Sequence, residues 1–150
     1  MKIHYLWHSE FIVEIKNNLW KTVKIMSDSW LSDYAFWDMM ARNPKIKIDY
    51  SKFDIDAIYL SHSHCDHLDP YTLIEIYNNI KPRPLLIIPE TLKFLVPIFE
   101  KYLPKQKIQI LKNKQVFEFN WINITWIIFE NNYITNEDDV MTLAIYNDDE

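Results

Sequence analysis

The sequence predicts an α+β fold, a mixed β-sheet carrying two main helices. Three observations lead there: the chain opens on alternating apolar and polar residues, its middle interleaves short apolar runs with helix-patterned stretches, and its end returns to alternation. Each element follows from its residues. "KIHYL", "EFIVEIK" and "KTVKIM" keep the period of two that puts one face of a strand inside, with "NNLW" as the turn between the second and third, so the opening reads as an antiparallel meander. Residues 28–53 have no clean period and read as a long loop with one helical turn near Phe36 to Met40.

"IDAIYL" is an apolar run short enough for a buried strand. "DPYTLIEIYNNI" follows as a helix with Asp69 as N-cap and Pro70 at its first position, burying Leu73, Ile76, Tyr77 and Ile80. "PLLIIP" is a second buried strand, "ETLKFLVPIFEKYL" an amphipathic helix kinked at Pro97, and "KIQIL" a third strand. "QVFEF", "INITWIIF" and "VMTLAIY" then read as antiparallel strands, the first two joined at Asn120-Trp121.

Composition narrows the function classes. With 49% hydrophobic residues in 150, the chain can bury one real core, so 1–150 is read as a single domain. A net charge of -5 with 16 scattered Lys and Arg gives no basic field for phosphate backbones, which argues against nucleic acid. No apolar run approaches the roughly 18 residues of a membrane span, and the lone Cys65 has no internal disulfide partner, so the expected location is cytoplasmic. Glycine is absent altogether, although average usage of about 7% predicts roughly ten.

The chemistry concentrates in "LSHSHCDHLD", which sets His62, His64, Asp66 and His67 between a strand and a helix start. Imidazoles at i and i+2 of an extended loop reach one cation, while Asp66 and His67 turn toward a neighbouring point. Imidazole and carboxylate together suit zinc, iron or manganese. A solvated or helix-capping loop is the ordinary reading of one histidine; three in six positions point to metal. Cys65 reads as loop filler, Asp69 as a cap, and His8 as a hydrogen-bonding neighbour of the site.

This segment resembles the H-x-H-x-D-H signature of the metallo-β-lactamase superfamily, whose members are αββα sandwiches with the active site at one edge of two sheets. The opening, through His8, Ser9, Phe11, Asp28, Trp30 and Leu31, looks like the branch of ascorbate-phosphate lactonase-like proteins and CMP-sialic acid hydroxylase relatives, with Ser29 where proline is usual. The resemblance spans most of residues 4–80. It implies one or two zinc ions, or manganese or iron, with His62 and His64 on the first and Asp66 and His67 on the second. Asp66 would also orient a metal-bound hydroxide attacking a phosphoester, lactone or amide of a small-molecule substrate, and iron-dependent redox chemistry uses the same loop.

The resemblance also implies a third histidine, a bridging aspartate and a last histidine further along, but no histidine follows His67. Glu130 stands roughly where the third histidine is expected and is the substitute ligand. The chain thus reads as the N-terminal half of such a sandwich, catalytic when completed by the missing half or by a second copy, or else a degenerate metal-binding module. Trp7, Trp20, Trp37 and Trp121 fall where the resembling branch tends to have glycine, and at Asn120-Trp121 both turn residues should need positive φ.

Overall fold

In the computed structural model, which describes residues 1–17, 19–35, 39–45, 47–103, 107–128 and 141–146, the meander folds as expected. β1 (Lys2–Trp7), β2 (Glu10–Lys16) and β3 (Thr22–Ser27) pair antiparallel in sequence order. The β2–β3 turn is held by Asn17, whose Oδ1 accepts from Leu19 N at 3.0 Å and Lys21 N at 2.9 Å.

β6 (Ala57–Tyr59), β7 (Leu85–Pro89) and β8 (Ile108–Leu111) then add in parallel beyond β3, giving a six-stranded mixed sheet of order β1-β2-β3-β6-β7-β8. Alternation sorts its side chains between two cores. Met26, Ile58, Leu60, Leu86 and Ile88 face the helices, whereas Val23, Ile25, Ala57, Tyr59 and Ile87 face a second sheet. Because these strands are covered on both faces, they read as continuous apolar runs.

The helical layer contains α1 (Pro70–Asn79), which buries Thr72, Leu73, Ile76 and Tyr77, and α2 (Val96–Tyr102). Asp69 caps α1 as expected, its side chain accepting from Tyr71 N at 3.0 Å. The single helix expected over 90–103 divides instead: Glu90–Leu95 is 3₁₀, and α2 begins at Val96. Pro97 therefore lies in the first turn of α2, where an N–H would lack an intrahelical partner anyway, rather than kinking an interior.

The second sheet is antiparallel, β11-β10-β9, from β9 (Val116–Phe119), β10 (Ile122–Ile128) and β11 (Met141–Tyr146). Ile122 and Ile124 from β10 are buried against the first sheet. The expected loop at 28–53 holds a two-residue ladder, β4 (Tyr34–Ala35) with β5 (Met40–Ala41), and a 3₁₀ turn at Tyr50–Lys52. Of the helical turn expected near Phe36 to Met40, residues 36–38 lie outside the described set and Met40 is in β5. Among the described residues no helix is long and apolar enough to cross a membrane.

Six described residues without a glycine's freedom have positive φ: His8, Trp20, Asp28, Lys114, Asn120 and Trp121. At the β9–β10 turn both Asn120 (51°) and Trp121 (64°) do, as the sequence demands. Trp20 takes 61° in the β2–β3 turn. Trp7 sits in β1 where its register with β2 shifts, and Trp37 is outside the described residues.

Candidate metal centre

β1, β3 and β6 run in the same direction, so their C-terminal ends and the start of β2 meet at one edge of the sheet. In open α/β sheets this end of the strands is where ligands gather, because backbone polar groups and loops converge there. The loop leaving β6 carries His62, His64, Asp66 and His67. It turns back on itself through His67 N and Leu68 N, which donate to His64 O at 3.0 and 2.7 Å. From β3, Asp28 N donates to Tyr59 O and Ser29 N to His67 O, each at 2.7 Å, which ties the two loops together.

Of the four residues expected from the β6 loop, Asp66 and His67 bring their donor atoms together, and the rings of His62, His64 and His67 pack on one another. The His62 ring lies 4.6 Å from that of His64 and 4.0 Å from that of His67, centroid to centroid. His67 Nε2 is 3.8 Å from Asp66 Oδ2. The His62 ring packs on both His64 and His67, while the donor atoms of Asp66 and His67 group with His8. Glu130 lies outside the described residues. Cys65 is exposed and free.

Asp28 was missed as a functional residue. Its Oδ2 is 2.9 Å from His67 Nδ1, and its Oδ1 accepts from Ser61 N and Ser61 Oγ, both at 2.8 Å. A carboxylate only accepts, so the proton sits on His67 Nδ1. The Ser61 hydroxyl spends its proton on Asp28, so the contact of 2.9 Å with His62 Nδ1 requires that nitrogen to donate. His67 therefore turns a basic Nε2 toward Asp66, the arrangement by which carboxylates orient metal-binding histidines, and the His62 ring is held at Nδ1 by the same serine. The one available signal was the match of Asp28, Trp30 and Leu31 to the resembling branch.

His8 is the hydrogen-bonding neighbour that was expected: it follows β1 with φ of 43°, and its Nε2 is 3.1 Å from Asp66 Oδ2. Its ring meets Trp30 edge-on at 5.4 Å. The donor atoms of His8, Asp66 and His67 all lie within 4.8 Å of one another. Asp66 Oδ1 is shielded from solvent and has no hydrogen-bond partner among the described residues. A buried carboxylate oxygen of that kind suits a cation, and two imidazoles with a carboxylate suit a divalent transition metal. The donor set fits.

Charge is arranged asymmetrically. Burial, with the neighbouring His67 and His64, pulls His62 below the usual imidazole range. Burial also opposes the charge on His67, but the Asp28 hydrogen bond and the charges of Asp28, Asp66 and Glu10 outweigh it and raise that group. Behind them Glu10 is fully buried, accepting from Trp30 N at 2.9 Å and Ser9 Oγ at 3.2 Å. Burial pushes its carboxyl up to about 8 despite those bonds, with Asp28 adding to the rise.

Comparison of the chain with family models and with curated proteins gives no match.

Proposed function

We propose that this edge of the sheet is the metal centre of a hydrolase of the metallo-β-lactamase type, acting on a phosphoester, lactone or amide of a small molecule in the cytoplasm. The observation that carries the reading is the Asp28 contact that holds His67, whose donor atom stands with those of Asp66 and His8 within 4.8 Å, beside an Asp66 oxygen that lacks a partner among the described residues. Solvated histidines on a polar loop have no need of such orientation. The layering of helices, six-stranded sheet and second sheet supports a half-sandwich, as does the site's place at the strand ends.

His62, His64, Asp66 and His67 would hold zinc, or manganese or iron, with Glu130 as the expected further ligand. A cation there supplies Lewis acidity toward an acyl or phosphoryl oxygen and acidifies water. Asp28 keeps the His67 and His62 tautomers fixed throughout. Asp66 orients the attacking water and accepts its proton, with His8 steadying the carboxylate at 3.1 Å.

The rival reading, a module that binds metal without catalysis, is favoured by the absence of any histidine after His67. Metal content of the purified chain, measured beside a His62→Ala/His64→Ala double variant and followed by screening of chromogenic phosphoesters, lactones and anilides, separates the two. Turnover abolished by Asp66→Asn supports the hydrolase. Metal without turnover on any class supports the module, and no metal above the variant's background sinks both.

A further inference from the structure

We propose that His8 is itself a metal ligand, and that His8, Asp66 and His67 form the tighter of two cation positions, filled before the His62/His64 side. The inference rests on the metal-centre reading and adds to it a ligand and an order of filling. Four observations carry it.

Geometry comes first. Around a cation with bonds of about 2.1 Å, tetrahedral ligand atoms stand roughly 3.4 Å apart. The contacts His8 Nε2 to Asp66 Oδ2 at 3.1 Å and His67 Nε2 to Asp66 Oδ2 at 3.8 Å bracket that edge, and the third lies within 4.8 Å. A closure of no more than about 1.4 Å along the third edge brings it to that length.

Donor count and type come second. This position has two imidazoles and a carboxylate, a facial set that binds divalent iron or zinc. Among the described residues no such group of three donors includes His62 or His64. The more complete donor set favours the first cation there.

Orientation is third. The His67 ring is already set by Asp28, and the His8 ring is set by the edge of buried Trp30, whose Nε1 donates to Tyr34 O at 3.1 Å. The His67 ring is thus pre-set, and the 40% exposed His8 ring has one fixed neighbour, which lowers the ordering cost of binding. Fourth is the backbone: His8 holds φ of 43° at a position where glycine would be unstrained, and a strained residue aimed at a cluster of ligands is the pattern of a functional site.

The test is titration of the full chain with Zn²⁺ by calorimetry and with Co²⁺ by visible absorption, comparing wild type, His8→Ala, His8→Gln and His62→Ala/His64→Ala. Gln can keep a hydrogen bond to Asp66 but not the imidazole donor. The expected result is that both His8 variants weaken the first equivalent by about 100-fold or more and shift the cobalt spectrum, whereas the double variant weakens it by less than about 10-fold. His8→Gln behaving as wild type, or the double variant losing the first equivalent while His8→Ala retains it, overturns the inference and leaves the metal centre standing. A wild-type chain that binds neither ion overturns both.

Discussion

Residues 60–69 and the turn at His8 and Ser9 reach the same sheet edge by different means. The first stretch is a strand-to-helix loop in which nearly every placement is carried by hydrogen bonds: Ser61 and His67 to Asp28, Leu68 to His64, Asp69 to Tyr71 and Thr72. The second is a tight turn with one left-handed histidine above a buried, proton-hungry Glu10, tied by Ser9 Oγ to Asp66 O at 3.2 Å and by Ser27 Oγ to Ser9 O at 2.8 Å. Both halves are hydrogen-bonded, but only the second sits over a desolvated acid. They should therefore fail differently.

The largest effect belongs to the second half. Between about pH 4.5 and about 8 the folded chain keeps a proton on Glu10 that the unfolded chain releases. Its contribution is thus fully present below the unfolded value and is lost as pH rises through that window, by up to ~1.4 kcal/mol per pH unit. Glu10→Gln should flatten the dependence, which urea denaturation at several pH values will read; an unchanged slope would place the proton elsewhere.

Next comes the network. Asp28→Asn replaces an acceptor oxygen with a donor or turns the amide away, freeing His67 to adopt the wrong tautomer. Affinity for Zn²⁺ should fall about 10- to 100-fold with the fold intact. An unaltered affinity would mean that the relay is ornamental.

Two smaller changes sharpen the contrast. Asp69→Ala removes the α1 cap and the partner of Thr72 Oγ1 at 2.6 Å, and should cost about 1 kcal/mol in thermal or chemical denaturation. His8→Gly, by contrast, should stabilise the metal-free chain by roughly 0.5–1 kcal/mol while weakening metal binding, because the left-handed backbone no longer carries a Cβ. Trp121→Gly, in a turn distant in sequence from the site and 60% exposed, is the control: a similar gain without loss of metal binding would assign the His8 effect on affinity to its ring alone.

Much of the fold was legible because period and capping are local. Alternation marked β1 to β3, apolar runs between turn signals marked β6, β7 and β8, and Asp69-Pro70 marked the start of α1. The four candidate ligands of the β6 loop were legible as a motif for the same reason. What escaped was set by tertiary contact. Asp28 becomes an orienting group only because β3 lies parallel beside β6, and His8 approaches Asp66 only because β1 closes the meander at the same end. Glu90–Leu95 carries a helical period, but Pro97 in the next turn made the boundary invisible to pattern alone.

β1 is the outermost strand of its sheet, with Ile3 and Tyr5 exposed, and it is bonded to β2 alone. Such a strand is the first to fray, and His8 is at its end. A cation shared with Asp66 and His67 would staple residue 8 to residues 66–67 across 58 positions of chain, acting on the first strand as a reversible cross-link. Amide protons along Ile3 to Leu6 would then exchange more slowly as metal is added, so that the ion a chemist sees as a reagent would also serve as the clasp on the sheet's loose hem.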